Sequence, residues 1–365
     1  MKLKFRLADE SDADRWNDFI VKNTPSAFYS LYNLFEWRRV LIHAYGYDPY
    51  YIIAENEGEI VGCFPLMYVK SRLFGDGLIS LPFTDHGCGP CVKDGDVNVL
   101  KLLLEEVRRI AVGLKVKCIK VCSPQGQNTF YDMGYEKPYD YFTFLLDLNK
   151  SVDDIWLGFD KRVRNAIRKA QKNDVSVVMD DSEVGVRDLY RIHVDNMKEL
   201  GTPPHSEKFF RALWSELRPK GLLKNFFAEY DGIRIAAISL FPHRDTVRWG
   251  IGVSLAKYRG LNPISLLLWE AIKWANERGY KVFDLGGSRP NSGNFFFKKG
   301  WLGKKYNDDR IIELNHLYLF LDNRERNILS PDIPKYKRLS KVWRKCVPIP
   351  ITMWIGPYIR KQIAM

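Results

Sequence analysis

A chain of 365 residues with 46% hydrophobic and 14% aromatic content has material for two or three packed domains, which excludes a disordered or low-complexity protein. Its net charge of +12 points to a polyanionic partner. The segment 331–365 sets eight cations against Asp332 alone and so carries about +7 of that charge. Six cysteines, an N-terminus with no apolar leader core and no run near the ~20 apolar residues of a bilayer span predict a cytoplasmic protein with reduced thiols.

In chain order, a helix-forming opening (Asp9 to Lys22) and an aromatic segment (Phe28 to Tyr47) lead into YYIIAENEGEIVGCFPLMYV, two strands joined by a tight turn at Glu57-Gly58. A short strand, GLISLPF, and a glycine-rich loop precede a helix of apolar spacing from Val97 to Val112. KCIKVC and YFTFLLDL follow as further strands.

The second half then repeats this order. AENEGEIVGCFPL has its counterpart in AEYDGIRIAAISLF, LKLLLEEVRRIA in ISLLLWEAIKWA, and FYDMGYEKPYDYFTFLLDL in FFFKKGWLGKKYNDDRIIEL, at offsets of about 164 to 174 residues. Three matched segments in one order predict a tandem of two similar α/β modules, 1–150 and 151–330, with 331–365 as a basic amphipathic tail.

Between the modules, Asp153 or Asp154 can cap a helix in which Lys161, Arg164, Arg168 and Lys172 form one cationic stripe, while Val163, Ile167 and Ala170 form a packed face. A solvated helix face explains the stripe, and so does a phosphate-bearing substrate. Further on, GTPPHS (Gly201 to Ser206) is a rigid loop before an amphipathic helix.

The chemistry is expected in GYKVFDLGGSRPNSGNFFFKKGW (Gly279 to Trp301). An apolar strand, Lys281 to Leu285, ends at Gly286 and Gly287, which strip side chains from the strand end and permit close backbone approach. In open α/β sheets ligands sit beyond the carboxyl ends of strands, so Lys298, just past this one, can meet a developing oxyanion. Asp284, at the strand end, is a candidate base or a strand carboxylate held by nearby N–H groups. His205 and His86 lie in loops where a base can sit, whereas His43, His193, His243 and His316 fall in regular elements. The catalytic ranking is Lys298, then Asp284 and His205. An amine nucleophile can also lose its proton to substrate or water.

Two other patterns carry less. Cys88-Gly89-Pro90-Cys91 has the spacing of thiol oxidoreductases, but VKDGD separates it from the helix whose dipole would activate a thiol. Cys118 and Cys122, at i and i+4 of one strand, lie ~13 Å apart, too far for one tetrahedral zinc ion. In the tail, VWRKCVPIPITMWIGPYIRK is too short and broken to span a membrane; it can pack on the protein or dip into a lipid interface.

The two modules, the link IWLGFDKRVRNAIRKAQK, the ELGTPPHS loop, the FDLGGSRPNSGNFFFKKGW block and the SPDIPKYKRLSKVW…PIPITMWIGPYI tail together resemble the FemAB-like acyltransferases of the GNAT superfamily, and among them the subgroup found beside bacterial exosortase and exopolysaccharide systems. The resemblance implies an α/β (α+β) fold of two GNAT-like modules, each a mixed twisted sheet flanked by helices. It implies acyl transfer onto a cell-envelope or exopolysaccharide precursor at the inner face of the plasma membrane, with Lys298 stabilising the tetrahedral oxyanion and Gly286, Gly287, Ser288, Asn294 and Phe297 lining the cleft. Lys161, Arg164, Arg168, Tyr258 and Arg259 would hold a phosphorylated or glycan acceptor. No metal and no permanently bound cofactor are implied, and the donor is acyl-CoA or aminoacyl-tRNA.

FemA-type relatives carry amino acids from aminoacyl-tRNA to the peptidoglycan precursor peptide, so a tRNA-dependent aminoacyltransferase is one alternative; a non-catalytic glycan-binding scaffold at the membrane, docked through 331–365, is another. No heptad run marks the coiled-coil arm of the FemA type. Where coenzyme A-dependent GNATs have R-G-x-G-x-G, this chain has Arg259-Gly260-Leu261-Asn262-Pro263-Ile264, and Pro263 has no N–H for a pyrophosphate. The first module's GYEKPYD lacks the FKK cations and is expected to be a structural partner.

Overall fold

A computed structural model describes residues 3–85, 88–122, 127–303, 308–322 and 334–363. The first run contains β1 (Lys4–Leu7), α1 (Ala13–Asn23), α2 (Ala27–Ser30), α3 (Phe35–Tyr45), β2 (Asp48–Pro49), β3 (Ile52–Asn56), β4 (Glu59–Phe64), β5 (Met67–Val69), β6 (Gly77–Ile79) and β7 (Cys91–Val92). Asp96 then caps α4 (Val97–Gly113), accepting from the Asn98 and Val99 N–H groups, and Val99, Leu103, Val107 and Ala111 bury one stripe of that helix. Strand β8 (Cys118–Cys122), α5 (Gln127–Asp132) and β9 (Phe142–Asp147) follow.

The link was expected to be one helix capped by Asp153 or Asp154, and it forms two. Ser151 caps α6 (Val152–Gly158), and α7 (Lys161–Lys172) starts after a break at Phe159 and Asp160. Phe159 is extended because its ring is wanted elsewhere: it packs edge-on against Trp269 and Trp301, with centroids 5.6 and 5.0 Å away.

The second run comprises β10 (Ser176–Met179), α8 (Glu183–Leu200), α9 (Glu207–Leu217), β11 (Lys224–Tyr230), β12 (Ile233–His243), β13 (Thr246–Ser254), α10 (Pro263–Glu277), β14 (Val282–Asp284), α11 (Gly293–Leu302), β15 (Ile311–Glu313) and β16 (His316–Phe320). The chain ends in α12 (Pro334–Cys346) and α13 (Ile349–Gln362).

Two compact units result. One comprises Met1–Tyr141, Leu314–Ile333 and Tyr358–Met365; the other comprises Phe142–Glu313 and Pro334–Pro357. The first holds sheets of order β1-β3-β4-β7 and β16-β8-β6-β5-β2, packed around Leu103, Leu104, Ile119 and Leu317. The second holds one sheet, β10-β11-β12-β13-β14-β9-β15, covered by α10, whose Leu267, Leu268 and Ile272 meet Ile238, Val247 and Phe283.

The units do not follow boundaries at 150 and 330. β9, drawn from the first half, pairs antiparallel with β14, and β16, drawn from the second half, pairs antiparallel with β8. In each unit the strand after the long helix lies between a parallel neighbour of its own half and an antiparallel one from the other. Strand alternation and length are alike in β9 and in the β15–β16 segment, so only long-range pairing decides where each goes.

His243 ends β12 beside a turn at Arg244, and burial, with Arg244 adding to it, pushes its imidazole down to about 4. The unfolded chain, titrating near 6.5, therefore binds this proton more readily than the folded one, so the contribution is whole above about pH 6.5 and is lost as the pH falls towards 4. Between pH 7 and pH 5 this one group should remove about 2 kcal/mol of stability. Urea unfolding at the two pH values should show a smaller acid loss for His243→Gln than for the native protein; equal losses would refute the assignment.

Candidate active site

The site is built where β13 and β14 part. The two strands pair in parallel at Thr246↔Val282, Val247↔Phe283 and Arg248↔Asp284, and there the pairing stops. Past Asp284 the chain stays with β9: the Leu285 N–H donates to the Phe144 carbonyl at 2.9 Å, and Phe142 and Ser288 exchange backbone bonds of 2.9 and 2.7 Å. β13 runs on from Trp249 to Ser254, with Gly250 and Gly252 exposed. One residue of β13 bulges between its pairs with Ser239 and Leu240 of β12.

A buried polar cluster fills the fork. Asp284 is 1% exposed and ion-paired with Arg248, itself 3% exposed. Its Oδ1 accepts from the Thr143 hydroxyl at 2.6 Å and from the Gly286 N–H at 2.9 Å. With both oxygens engaged, Asp284 fits the carboxylate reading better than that of a general base.

Ser292 caps α11 through the Phe295 N–H, and the helical period then turns Lys298 and Trp301 inward while Lys299 stays exposed. Lys298 Nζ donates to the Gly287 carbonyl at 2.8 Å and lies 5.3 Å over the Trp249 ring. Gly286 has φ +77°, and a Cβ there would stand 3.4 Å from Lys298 Nζ and 3.5 Å from Arg248 Nη2, so a glycine keeps this ammonium close to bare backbone.

The other expected residues are placed as follows. Phe297 packs 6.3 Å from Trp249, Ser288 is buried with its hydroxyl 3.1 Å from that of Ser292, and Asn294 is exposed on α11. Lys161 begins α7, whose N-terminal Asp160 takes a backbone bond to the Gly300 carbonyl of α11. Arg164 donates to the Leu157 carbonyl at 2.8 Å and Arg168 stacks on Trp156 at 5.3 Å, so part of the cationic stripe caps and covers α6. His205 donates its N–H to His193 Nε2 and stacks on Phe209 with centroids 4.4 Å apart. His86 lies outside the described residues. Arg259 reaches Asn196 at 3.1 Å, and Tyr258 lies 6.1 Å from Tyr230.

At the start of α10, Asn262 takes the left-handed conformation, Pro263 opens the helix without an N–H, and the Ser265 N–H turns back to the Asn262 carbonyl at 3.1 Å. In the CGPC segment Cys88 and Cys91 are both buried, and burial pushes the Cys91 thiol up to about 12, which leaves it inert. Among the described residues no group of three His, Cys, Asp or Glu is arranged to hold a metal ion.

Residues 158–299, which contain the whole fork from β13 to Lys299, match the model of the acetyltransferase (GNAT) domain. That domain sets the chain among the transferases. No curated protein matches it by sequence. Among solved structures, FemX is 15% identical, with 90% of this chain and 100% of that one covered at a TM-score of 0.66. A tandem GNAT protein from the clavulanic acid biosynthesis pathway is 13% identical over 87% and 98% of the two chains, at 0.59. The fold is that of a tandem GNAT protein. The C-terminal domain of a putative lysylphosphatidylglycerol synthetase from Agrobacterium fabrum shares this GNAT-like fold at 14% identity, 85% and 92% coverage and a TM-score of 0.55.

Three members of the cluster escaped the sequence reading. Thr143 was assigned to the other module, and Arg248 and Trp249 were read as ordinary strand residues. A signal existed: RWGIG puts two glycines inside a strand, which marks a bulge or a close approach. Here a Cβ on Gly252 would come within 2.5 Å of the Trp249 indole, and one on Gly250 within 1.9 Å of the Phe241 ring.

Proposed function

We propose that the chain is a FemAB/GNAT-type acyltransferase that forms an amide or ester on a cell-envelope or exopolysaccharide precursor. The observation that carries this reading is the Lys298 ammonium, held beside the bare backbone of Gly286 and Gly287 where β13 and β14 part. A carbonyl bound in the fork would develop its negative charge next to that ammonium, in a site with little water to reorganise. The backbone of Gly286 to Ser288 then forms one wall, and Phe297 and Trp249 another. Asp284 fixes Arg248 and the glycine turn, and the nucleophile's proton leaves to water or substrate. Acceptor phosphates or sugar acids would be met by Lys161, Arg164 and Arg168, all on α7.

A second reading, in which aminoacyl-tRNA is the donor, is favoured by the start of α10. Pro263 removes one N–H from the helix N-terminus that would cradle a pyrophosphate, and Ser265 directs another to Asn262. Titration of the purified protein with acetyl-coenzyme A and with a charged tRNA pool, at low and moderate salt, separates the two. Saturable coenzyme A binding would overturn the reading of the Asn262-Pro263 turn and leave an acyl-CoA enzyme. Salt-sensitive tRNA binding without coenzyme A affinity supports the aminoacyl reading, because phosphate neutralisation releases counterions. Binding of neither donor would count against acyl transfer and for a glycan-binding scaffold.

A further inference from the structure

Helices α12 and α13, as far as Pro357, leave their outward faces without protein to cover them. Against the second unit, α12 presents Ser340 and Trp343: the Trp343 carbonyl accepts from Lys198 Nζ at 3.0 Å, and a Cβ on Gly201 would meet Ser340 Oγ at 2.3 Å. From α13 it is Thr352 and Gly356 that are buried, with Gly356 so close to Pro204 that an added Cβ would lie 2.5 Å from it. Helical periodicity then fixes what points away. On α12 the opposite side carries Arg338, Lys341 and Lys345 beside Leu339 and Val342, all exposed. On α13 it carries Ile351, Met353 and Trp354, the last 80% exposed. No Asp or Glu occurs from Pro334 to the end of the chain.

We propose that this face docks the protein on an anionic lipid surface, with Trp354, Met353 and Ile351 entering the headgroup boundary and the α12 cations resting on lipid phosphates. Charge of one sign along one helix, next to a wholly apolar face on the other, fits a surface that is anionic outside and apolar beneath. A nucleic acid would complement the cations but give Met353, Ile351, Leu339 and Val342 no apolar medium to enter. Neither helix is long and apolar enough to cross a bilayer, so the contact is peripheral. The proposal stands independently of Lys298 and of the acyl-transfer reading.

Co-sedimentation of the full chain with vesicles of phosphatidylcholine alone and of phosphatidylcholine with phosphatidylglycerol tests it. Partitioning should be about tenfold or more stronger on the anionic vesicles and should weaken with salt. Met353→Glu with Trp354→Glu should abolish it, and Lys341→Glu with Lys345→Glu should erase the lipid preference; both pairs are exposed, and circular dichroism should show native folding. No partitioning onto phosphatidylglycerol vesicles, or partitioning untouched by the Met353 and Trp354 changes, would overturn the proposal. So would tRNA binding that both variant pairs weaken alike.

Discussion

Replacing Lys298 by alanine is expected to lower turnover about 100- to 1,000-fold while leaving the protein folded, the usual cost of deleting one oxyanion donor. The side chain is 8% exposed, yet the bond it makes is to the Gly287 carbonyl, on the surface of the fork, and its other neighbour is the Trp249 ring. Removing it takes a charge out of a buried place without breaking a buried ion pair, so the urea midpoint should move little. Release of coenzyme A from acetyl-coenzyme A, or of the amino acid from aminoacyl-tRNA, whichever donor binds, measures the effect. Lys299→Ala is the control: Lys299 is exposed on the far side of α11 and its loss should be neutral. A folded Lys298→Ala protein with native turnover would remove the oxyanion role.

The largest loss of stability is expected from Asp284. Arg248 is 3% exposed, and Asp284→Ala would leave its guanidinium buried beside an unmatched Thr143 hydroxyl and Gly286 N–H. Breaking one partner of such a pair costs about 3 to 5 kcal/mol, whereas replacing both by apolar groups of similar volume is often neutral. Asp284→Ala should therefore be far less stable than the native chain in urea, and Asp284→Leu combined with Arg248→Met should regain most of the loss. A single Asp284→Ala protein within about 1 kcal/mol of native would contradict the buried-pair account.

Much of the molecule was legible beforehand. The matched segments at Ala54 and Ala228, and at Ala111 and Ala275, fall in corresponding hairpins and long helices of the two halves, so the repeat revealed the tandem α/β fold. Val163, Ile167 and Ala170 form the packed side of α7 as their spacing demands, and His43, His193, His243 and His316 sit in helices or strands. The glycine-ended strand and the inward lysine were also visible, although Lys298 could be told from Lys299 only through the helical period that the Ser292 cap starts.

What stayed hidden were partnerships between residues far apart in the chain. Thr143 meets Asp284 across 141 positions, and a local pattern holds no trace of such a meeting. The break at Phe159 was hidden too, because helix propensity around it is high and the aromatic packing that overrides it comes from Trp269 and Trp301.

The crossed strands bear on how the chain can acquire its structure as it is synthesised. Cys122 of β8 waits for His316, 194 positions later, before its neighbour strand exists. β9 likewise leaves the ribosome well before the β14 residues it must flank. Neither half can therefore close its sheet while the other is unfinished, and the usual economy of tandem proteins, in which an N-terminal domain settles first, is denied to this one. Until residue 320 has emerged, both β8 and β9 present an edge open to the wrong strand.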